Sequence, residues 1–532
     1  MPSKKLREWG WGMILLRRYV VLTVVIGFIA FLVACGGGIE SATPPVGVIT
    51  TTANPLVANY QLRSGCAGPA MVEFGPDTNY GRTTAWYNAP GQYASFNIQV
   101  AGMRASTTYH MRSVLQCEGN TLMSNDQTFT TGALPPIAFP TLHVSRPSQS
   151  VGTENPGIEL VNVVETTKNE VQGYYTDRDG NIIWYYDVGA SNGNFPYLIK
   201  LLPNGHMFIG VGFGGSTAGP GAGTMIREVD LAGNTIREMD VASLDAKMQA
   251  AGFNFIPASM HHDVLALDNG HLILLTNFVK PYQDVVGYPG TSQVTVDGLV
   301  DLDENWNPVW TWNAADYLDV NRHPFGFPDW THSNAVIYSP DDGNLIVSSR
   351  HQSWVMKIDY NNGAGTGSIL WKLGYQGDFA LAQGTDPSLW FYSQHYPSLI
   401  AHNGQQMDLA VWDNGDARVL DSSGTLCVNN CYSRATHFQV DESTRVASLA
   451  WSDTPGLFSI WGGSINQLQN GNVEFDINGL AVPPTGTVVS EVQEVTQTST
   501  PQVVWQMDFD APSTAYRAYR VPSLYPGVSW AY

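Results

Sequence analysis

Charge is scarce in this 532-residue chain, and positive charge is scarcer still. Only 14% of residues are charged, and 26 Lys and Arg stand against 46 Asp and Glu, for a formal net charge of −20. A surface that acidic repels nucleic acid and anionic membranes. It excludes polyanion binding as a general function and requires any anionic substrate to find a local basic site. Cysteine is sparse too, at five residues, too few for a disulfide-dense scaffold. Helical periodicity is almost missing along the chain. Apolar material is plentiful, with 43% hydrophobic and 11% aromatic residues, enough for buried cores in two or more domains.

The N-terminal stretch joins a basic start (Lys4, Lys5, Arg7, Arg17, Arg18) to an apolar run over 19–34. That pattern is a secretion signal, not a fold element; a signal anchor is the alternative. The run ends in "LVAC", which resembles the lipobox of bacterial lipoproteins. The signal then covers 1–35, with Cys35 as the lipidated first residue of the mature protein. Gly36, where aspartate would favour inner-membrane retention, points to an outer-membrane anchor facing the periplasm. The other cysteines fall into two local pairs, Cys66 with Cys117 and Cys427 with Cys431, predicting two disulfides in an oxidising compartment. A four-thiolate zinc site fits poorly, because the pairs lie in different domains.

After a linker over 36–47, residues 48–133 carry short alternating strands such as "NYQLRSG" and "AMVEFG", with turn signals at sandwich spacing. The stretch "VAGMRASTTYHMRSVLQCEGN" looks like the end of a fibronectin type III domain, with Tyr109 at its tyrosine corner and His110 as a structural residue. Over 134–532 two signatures alternate. One is a hairpin with a Gly-centred turn, as in "LIKLLPNGHMFIGVG", "DVLALDNGHLILLTN" and "NAVIYSPDDGNLIVSSR". The other is a polar turn leading to a strand that often ends on Trp, as in "DRDGNIIWYYD" and "TSTPQVVWQMDF". Six such units predict an all-β fold, a six-bladed β-propeller rather than a β-helix with its shorter repeats. "GIELVNVVE" is expected to supply the missing inner hairpin strand of the first unit.

Polar residues precede the hairpins selectively: His261, His262 and Asp263 in "MHHDVLAL", His332 and Asn334 in "DWTHSNAVIY", and His395 in "YSQHYPSLI". "SSRHQS" adds Arg350 and His351. Each histidine alone is an ordinary polar residue, but at equivalent repeat positions they predict one axial cluster. A metal site would use neutral histidines with Asp263; Arg350 disfavours a cation and matches an oxyanion. A binding propeller without chemistry remains a third reading.

The motifs "MHHD", "DWTHSNAVIYSPDDGNLIVSSRHQS", "SQH" followed by "WDNGD", and "STAYRAYRV" resemble the bacterial arylsulfotransferases that use no nucleotide sulfate donor. The resemblance implies a propeller enzyme that carries sulfuryl groups between phenols through a sulfurylated histidine. By motif, His395 is the implied nucleophile, His332 and Arg350 the ligands of the sulfuryl oxygens with Asn334 beside them, and His262 the fourth catalytic member with His261 in reserve. Tyr516 and Arg517 are implied near the funnel, although Ala515 stands where a histidine is expected. No metal and no cofactor is expected. The expected partners are phenols, phenolic sulfate esters and, through the lipid, a membrane, with a homodimer left open and no nucleic acid. A hydrolase using the same residues stays open as the rival chemistry.

Overall fold

Short runs of alternating apolar and polar residues build strands along the whole chain, giving an all-β protein of 49% strand and 5% helix. The computed structural model describes residues 44–148, 150–164, 170–212, 222–429, 431–482, 487–511 and 513–531. The secretion signal and Cys35 lie outside these residues.

The first two sheets form a small sandwich. In Ala58–Arg63 the residues Ala58, Tyr60 and Leu62 turn inward and are buried, as are Val72 and Phe74 of Pro69–Gly75. This is the period-two burial of a strand with one wet face. Tyr109 Oη accepts the Arg104 N–H at 2.9 Å, the bond expected of a tyrosine corner, and Cys66 is bonded to Cys117. The C-terminal tail returns to this sandwich: the Ala101 N–H donates to Tyr525 Oη at 2.8 Å, and the Trp530 ring meets Phe74 edge-on at 5.8 Å. Gly102, at φ +94, is required there, since a Cβ would sit 2.3 Å from the Trp530 ring.

Beyond the sandwich lie six sheets of four or five strands, antiparallel except for one short parallel pair. Both ends of this region are woven in. Leu142–Ser145 pairs with Val503–Phe509 on the outer edge of the last sheet, and Thr514–Val521 completes the sheet begun by Ile158–Val164. The sequence reading gave that inner edge to "GIELVNVVE"; instead Ile158–Val164 lies one strand further out, because the chain's final strand takes the edge. The single α-helix among the described residues, Val241–Ala251, buries only Leu244 and Met248, too narrow a stripe to register as periodic.

The recurring tryptophans join each sheet to the next. Trp184 Nε1 donates to Leu231 O at 2.8 Å, Trp312 to Gly367 O at 2.9 Å, Trp371 to Glu442 Oε1 at 3.0 Å, Trp451 to Thr498 O at 2.9 Å, and Trp505 to Arg178 O at 2.9 Å. The unit "DLAGNTIREMD" lacks a tryptophan and uses Arg237, whose Nη1 donates to Glu304 O at 2.6 Å while its guanidinium stacks on Trp306. The bonds run from first sheet to last and, through Trp505, back to the first. On the opposite side of the sheets, the entry strands Phe195–Leu201, Ser259–Ala266, Ser333–Ser339, His395–Asn403, Ser464–Gln467 and Thr514–Val521 touch in succession. Arg520 ties the closure together, pairing with Glu159, Glu474 and Glu494 at 2.8, 3.1 and 3.1 Å.

Trp505→Phe removes the indole N–H from the Arg178 carbonyl, which keeps only its bond from Arg146 Nη2 at 3.0 Å, so denaturant titration should show a loss of about 1 kcal/mol. Trp451→Phe, at a more exposed bond where water can substitute, should cost less.

Candidate functional site

Register breaks occur at the beginnings of the entry strands. Pairing slips between Met260 and Val264, between Ser333 and Ala335, and between His395 and Ser398, and opposite Asn162 and Val163 it skips Tyr516. His262, His332 and Tyr396 have φ of 53°, 44° and 34°. These are left-handed conformations that non-glycine residues adopt at a cost and that concentrate at functional sites. Such bulges re-aim side chains, and here they gather residues from four sheets.

The His262 ring lies 4.8 Å from that of His332 and 5.7 Å from that of Tyr516, whose ring is 6.1 Å from His395. His332 stacks on His351 at 4.5 Å, and Arg350 Nη1 donates to His351 Nε2 at 2.9 Å. Of the adjacent pair, His262 is therefore the one in the cluster. His261 stands behind it, its Nδ1 2.7 Å from His262 Nδ1 and its Nε2 3.3 Å from Asp297 Oδ1.

His395 is buried and its tautomer is fixed by its neighbours. The Asn414 amide nitrogen donates to Ser459 O and Gly462 O, both at 3.0 Å. Its Oδ1 must therefore face His395 Nδ1, 2.8 Å away, and accept a hydrogen from it. A neutral His395 then carries its lone pair on Nε2, where its contact is the Gly462 N–H at 3.2 Å. Burial first, then the Arg350 charge, holds the His395 pKa well below the usual histidine value; burial, then His332 and His261, does the same for His262. Both rings are neutral at neutral pH.

The remaining groups are positioned in turn. Asp329 Oδ2 accepts from His332 Nδ1 at 2.5 Å. Although burial opposes it, this bond from His332 holds Asp329 below the ordinary aspartate range. Arg350 reaches Ile460 O at 3.0 Å and Asp416 Oδ2 at 3.4 Å. Asp416 itself is pushed up to about 6 by burial, which outweighs Arg350. Arg517 lies 3.1 Å from Asp263 Oδ1 and donates to Asn334 O at 2.8 Å, with its guanidinium over the Tyr396 ring. Asp263 also takes Lys200 at 2.6 Å. It is the counterion of two cations, not a carboxylate left free for a metal. Asn334 donates to Gln394 O at 2.7 Å.

Among the buried polar atoms of these residues that have no hydrogen-bond partner among the described residues are Arg350 Nε, Arg517 Nε, Asn334 Oδ1 and Tyr516 Oη. Unpartnered buried atoms occur elsewhere in the interior too, but these lie beside the histidines, where a polar ligand would satisfy them. Burial pushes Tyr516 up to about 12, so its phenol keeps its hydrogen.

Two groups have metal-like spacing, Asp329 with His332 and His351, and Asp342 with His402 and Glu442. In the first, both Nδ1 atoms are engaged by Asp329 and the Arg350 guanidinium sits on His351 Nε2. In the second, Lys357 Nζ stands between Asp342 and Glu442. Both sets already hold a protein cation or its neighbours.

The structure thus brings together His395, His332, Arg350, His262, Asn334, Tyr516 and Arg517, and sets His261 one layer back. Cys427 is bonded to Cys431 in the segment after Asp416. Asn414, Asp329 and Asp416 were not singled out in the sequence as site residues, although all three lie inside the motifs quoted above.

No protein of curated function matches the chain. Among solved structures, an ulvan lyase of a new polysaccharide lyase family is 12% identical over 57% of this chain and 68% of its own, with a TM-score of 0.30. A DUF4221 family member from Bacteroides vulgatus is 8% identical over 72% and 98%, with a TM-score of 0.26. Likenesses that weak carry no argument. A family model does match, over residues 143–520, the span that contains every member of the cluster, and by that match the chain belongs to the Arylsulfotransferase (ASST) family.

Proposed function

We propose that the chain is an aryl sulfate sulfotransferase that moves a sulfuryl group from a phenolic sulfate ester to a phenol through a sulfohistidine at His395. The observation that carries this reading is the Nδ1–H of His395 committed to Asn414, which puts the lone pair on a neutral Nε2 in the cluster with Arg350, His332 and His262, where the sulfur must displace its long contact with the Gly462 N–H. Six sheets linked in a circuit, with entry strands touching in succession, support a six-bladed propeller over 134–532. The sandwich over 48–133 is read as fibronectin III-like. Export, a lipid on Cys35 and an outer-membrane position facing the periplasm complete the proposal, and the two disulfides suit that oxidising compartment.

In the first step His395 Nε2 forms a bond to sulfur as the ester S–O bond breaks, and the phenol oxygen leaves with the electron pair. Sulfuryl transfer resembles phosphoryl transfer, where positioning and oxygen-directed electrostatics dominate. A sulfate monoester has a single negative charge, so Arg350, Tyr516 and imidazole donors suffice to bind its oxygens. In the second step an acceptor phenol gives its proton to His332 Nε2 while its oxygen attacks sulfur, and the N–S pair returns to His395. Asp329 on His332 Nδ1 orients that ring and stabilises the imidazolium formed. His332 returns the proton to the next leaving phenol. His262, held neutral, serves as a ligand rather than as the base.

Initial rates with varied donor and acceptor should give parallel double-reciprocal lines, the pattern of a ping-pong exchange. Phenol release that ignores added phenol would favour a hydrolase, and intersecting lines would exclude the covalent route. Since His395 reacts unprotonated and its pKa is depressed, the first half-reaction, read as the single-turnover burst of phenol from the sulfate ester, should persist below pH 6.5 and fall only as the pH drops through that lowered value. Asn414→Ala frees the ring to take either tautomer. It should lower kcat by about tenfold or more and, because it also removes the donor to the buried Ser459 and Gly462 carbonyls, lower the melting temperature.

A further inference from the structure

Next to the cluster is a cavity of about 260 Å³, on the scale of one substituted aromatic ring. Phe325, Tyr375 and Tyr392 line it, and Leu426, in the strap that the Cys427–Cys431 disulfide follows, closes another side. Phe325 is a wall shared with the proposed site, since its ring lies 5.1 Å from the Arg350 guanidinium carbon and 5.1 Å from the His351 ring.

The cavity also contains Arg322. Its guanidinium stacks 3.5 Å over the Trp354 ring, and Nη1 donates to Gln352 O and Oε1 at 2.9 and 2.7 Å. Its Nε and Nη2 make no hydrogen bond among the described residues, and no carboxylate there pairs with it. Burial with no offsetting charge pushes it down to about 10. In a chain with 46 acidic residues against 26 basic ones, a partly buried arginine without a carboxylate is a cation kept for something other than the fold. Stacking fixes the plane of the fork and leaves its free edge as a pair of donors suited to an oxyanion.

We propose that this cavity receives the far end of the aryl substrate, and that Arg322 selects phenols or phenolic sulfates bearing a second anionic group such as a carboxylate or sulfonate. The assignment rests on the sulfuryl-transfer reading for its substrate, while the binding it describes is measurable without turnover. The aromatic walls take the ring, and Phe325 places that ring beside Arg350.

The test uses His395→Ala protein, which cannot turn over by the proposed route, with calorimetric titration of 3-(4-hydroxyphenyl)propionate and of its neutral amide. The acid should bind about tenfold or more tightly than the amide, against the sign of the protein's overall field, and Arg322→Gln in the same background should abolish the preference. Gln376→Glu, at an exposed residue lining the cavity, should weaken the acid alone and carries the test if Arg322→Gln fails to fold. In enzyme retaining His395, the acid-to-amide ratio of kcat/KM should fall by a similar factor in Arg322→Gln. Equal binding of acid and amide, or a preference that survives both substitutions, would overturn the proposal. Arg322-dependent binding without transfer to either phenol would leave the cavity standing and remove the transfer reading.

Discussion

The circuit of hydrogen bonds from the outer strand of one sheet to the turn of the next is the constraint on which the rest depends. A sheet edge of this size is a liability unless it is covered, and each edge here is met by a neighbour whose carbonyl or carboxylate takes an indole N–H or, once, the Arg237 guanidinium. Closure also demands that the two ends of the region meet, which explains why the last strand lies inside the first sheet and why Arg520 is buried among three carboxylates. Replacing that cation would leave charges with no water to solvate them.

Within that frame, the bulges at the strand entries convert a repeated backbone into a non-repeated site. Left-handed turns at His262 and His332 spend conformational energy to aim two imidazoles at one point. The electrostatics follow from the burial. Burial, joined at His395 by the Arg350 charge and at His262 by the neighbouring histidines, keeps these two rings uncharged, while Asp329 and Asp297 hold the outer faces of His332 and His261. Cationic donors and neutral bases therefore coexist in one small volume, as transfer of an anionic group between neutral acceptors requires.

Much of this was legible in the sequence because repeats have a period. The Gly-centred hairpins and Trp-ending strands announced six units, and histidines at equivalent entries announced a cluster. The cysteines paired as their spacing suggested. What stayed hidden depends on contacts between distant segments. The choice of His262 over His261 is made by a bulge with no mark of its own in "MHHD". Asn414 acts through carbonyls of Ser459 and Gly462, whose approach only the folded sheets arrange. The helix Val241–Ala251 escaped notice because two buried residues make no period, and the inner edge of the first sheet was misassigned because its true occupant comes from the other end of the chain.

The central claim is that His395 itself carries the sulfuryl group, and peptide mass analysis of enzyme quenched after brief exposure to 4-nitrophenyl sulfate tests it most directly. The account predicts a gain of about 80 Da, the formula mass of one sulfuryl group, on the peptide containing His395, absent in His395→Ala and discharged by added phenol. An adduct on another residue, or steady phenol transfer by enzyme that never acquires the mass, would contradict it.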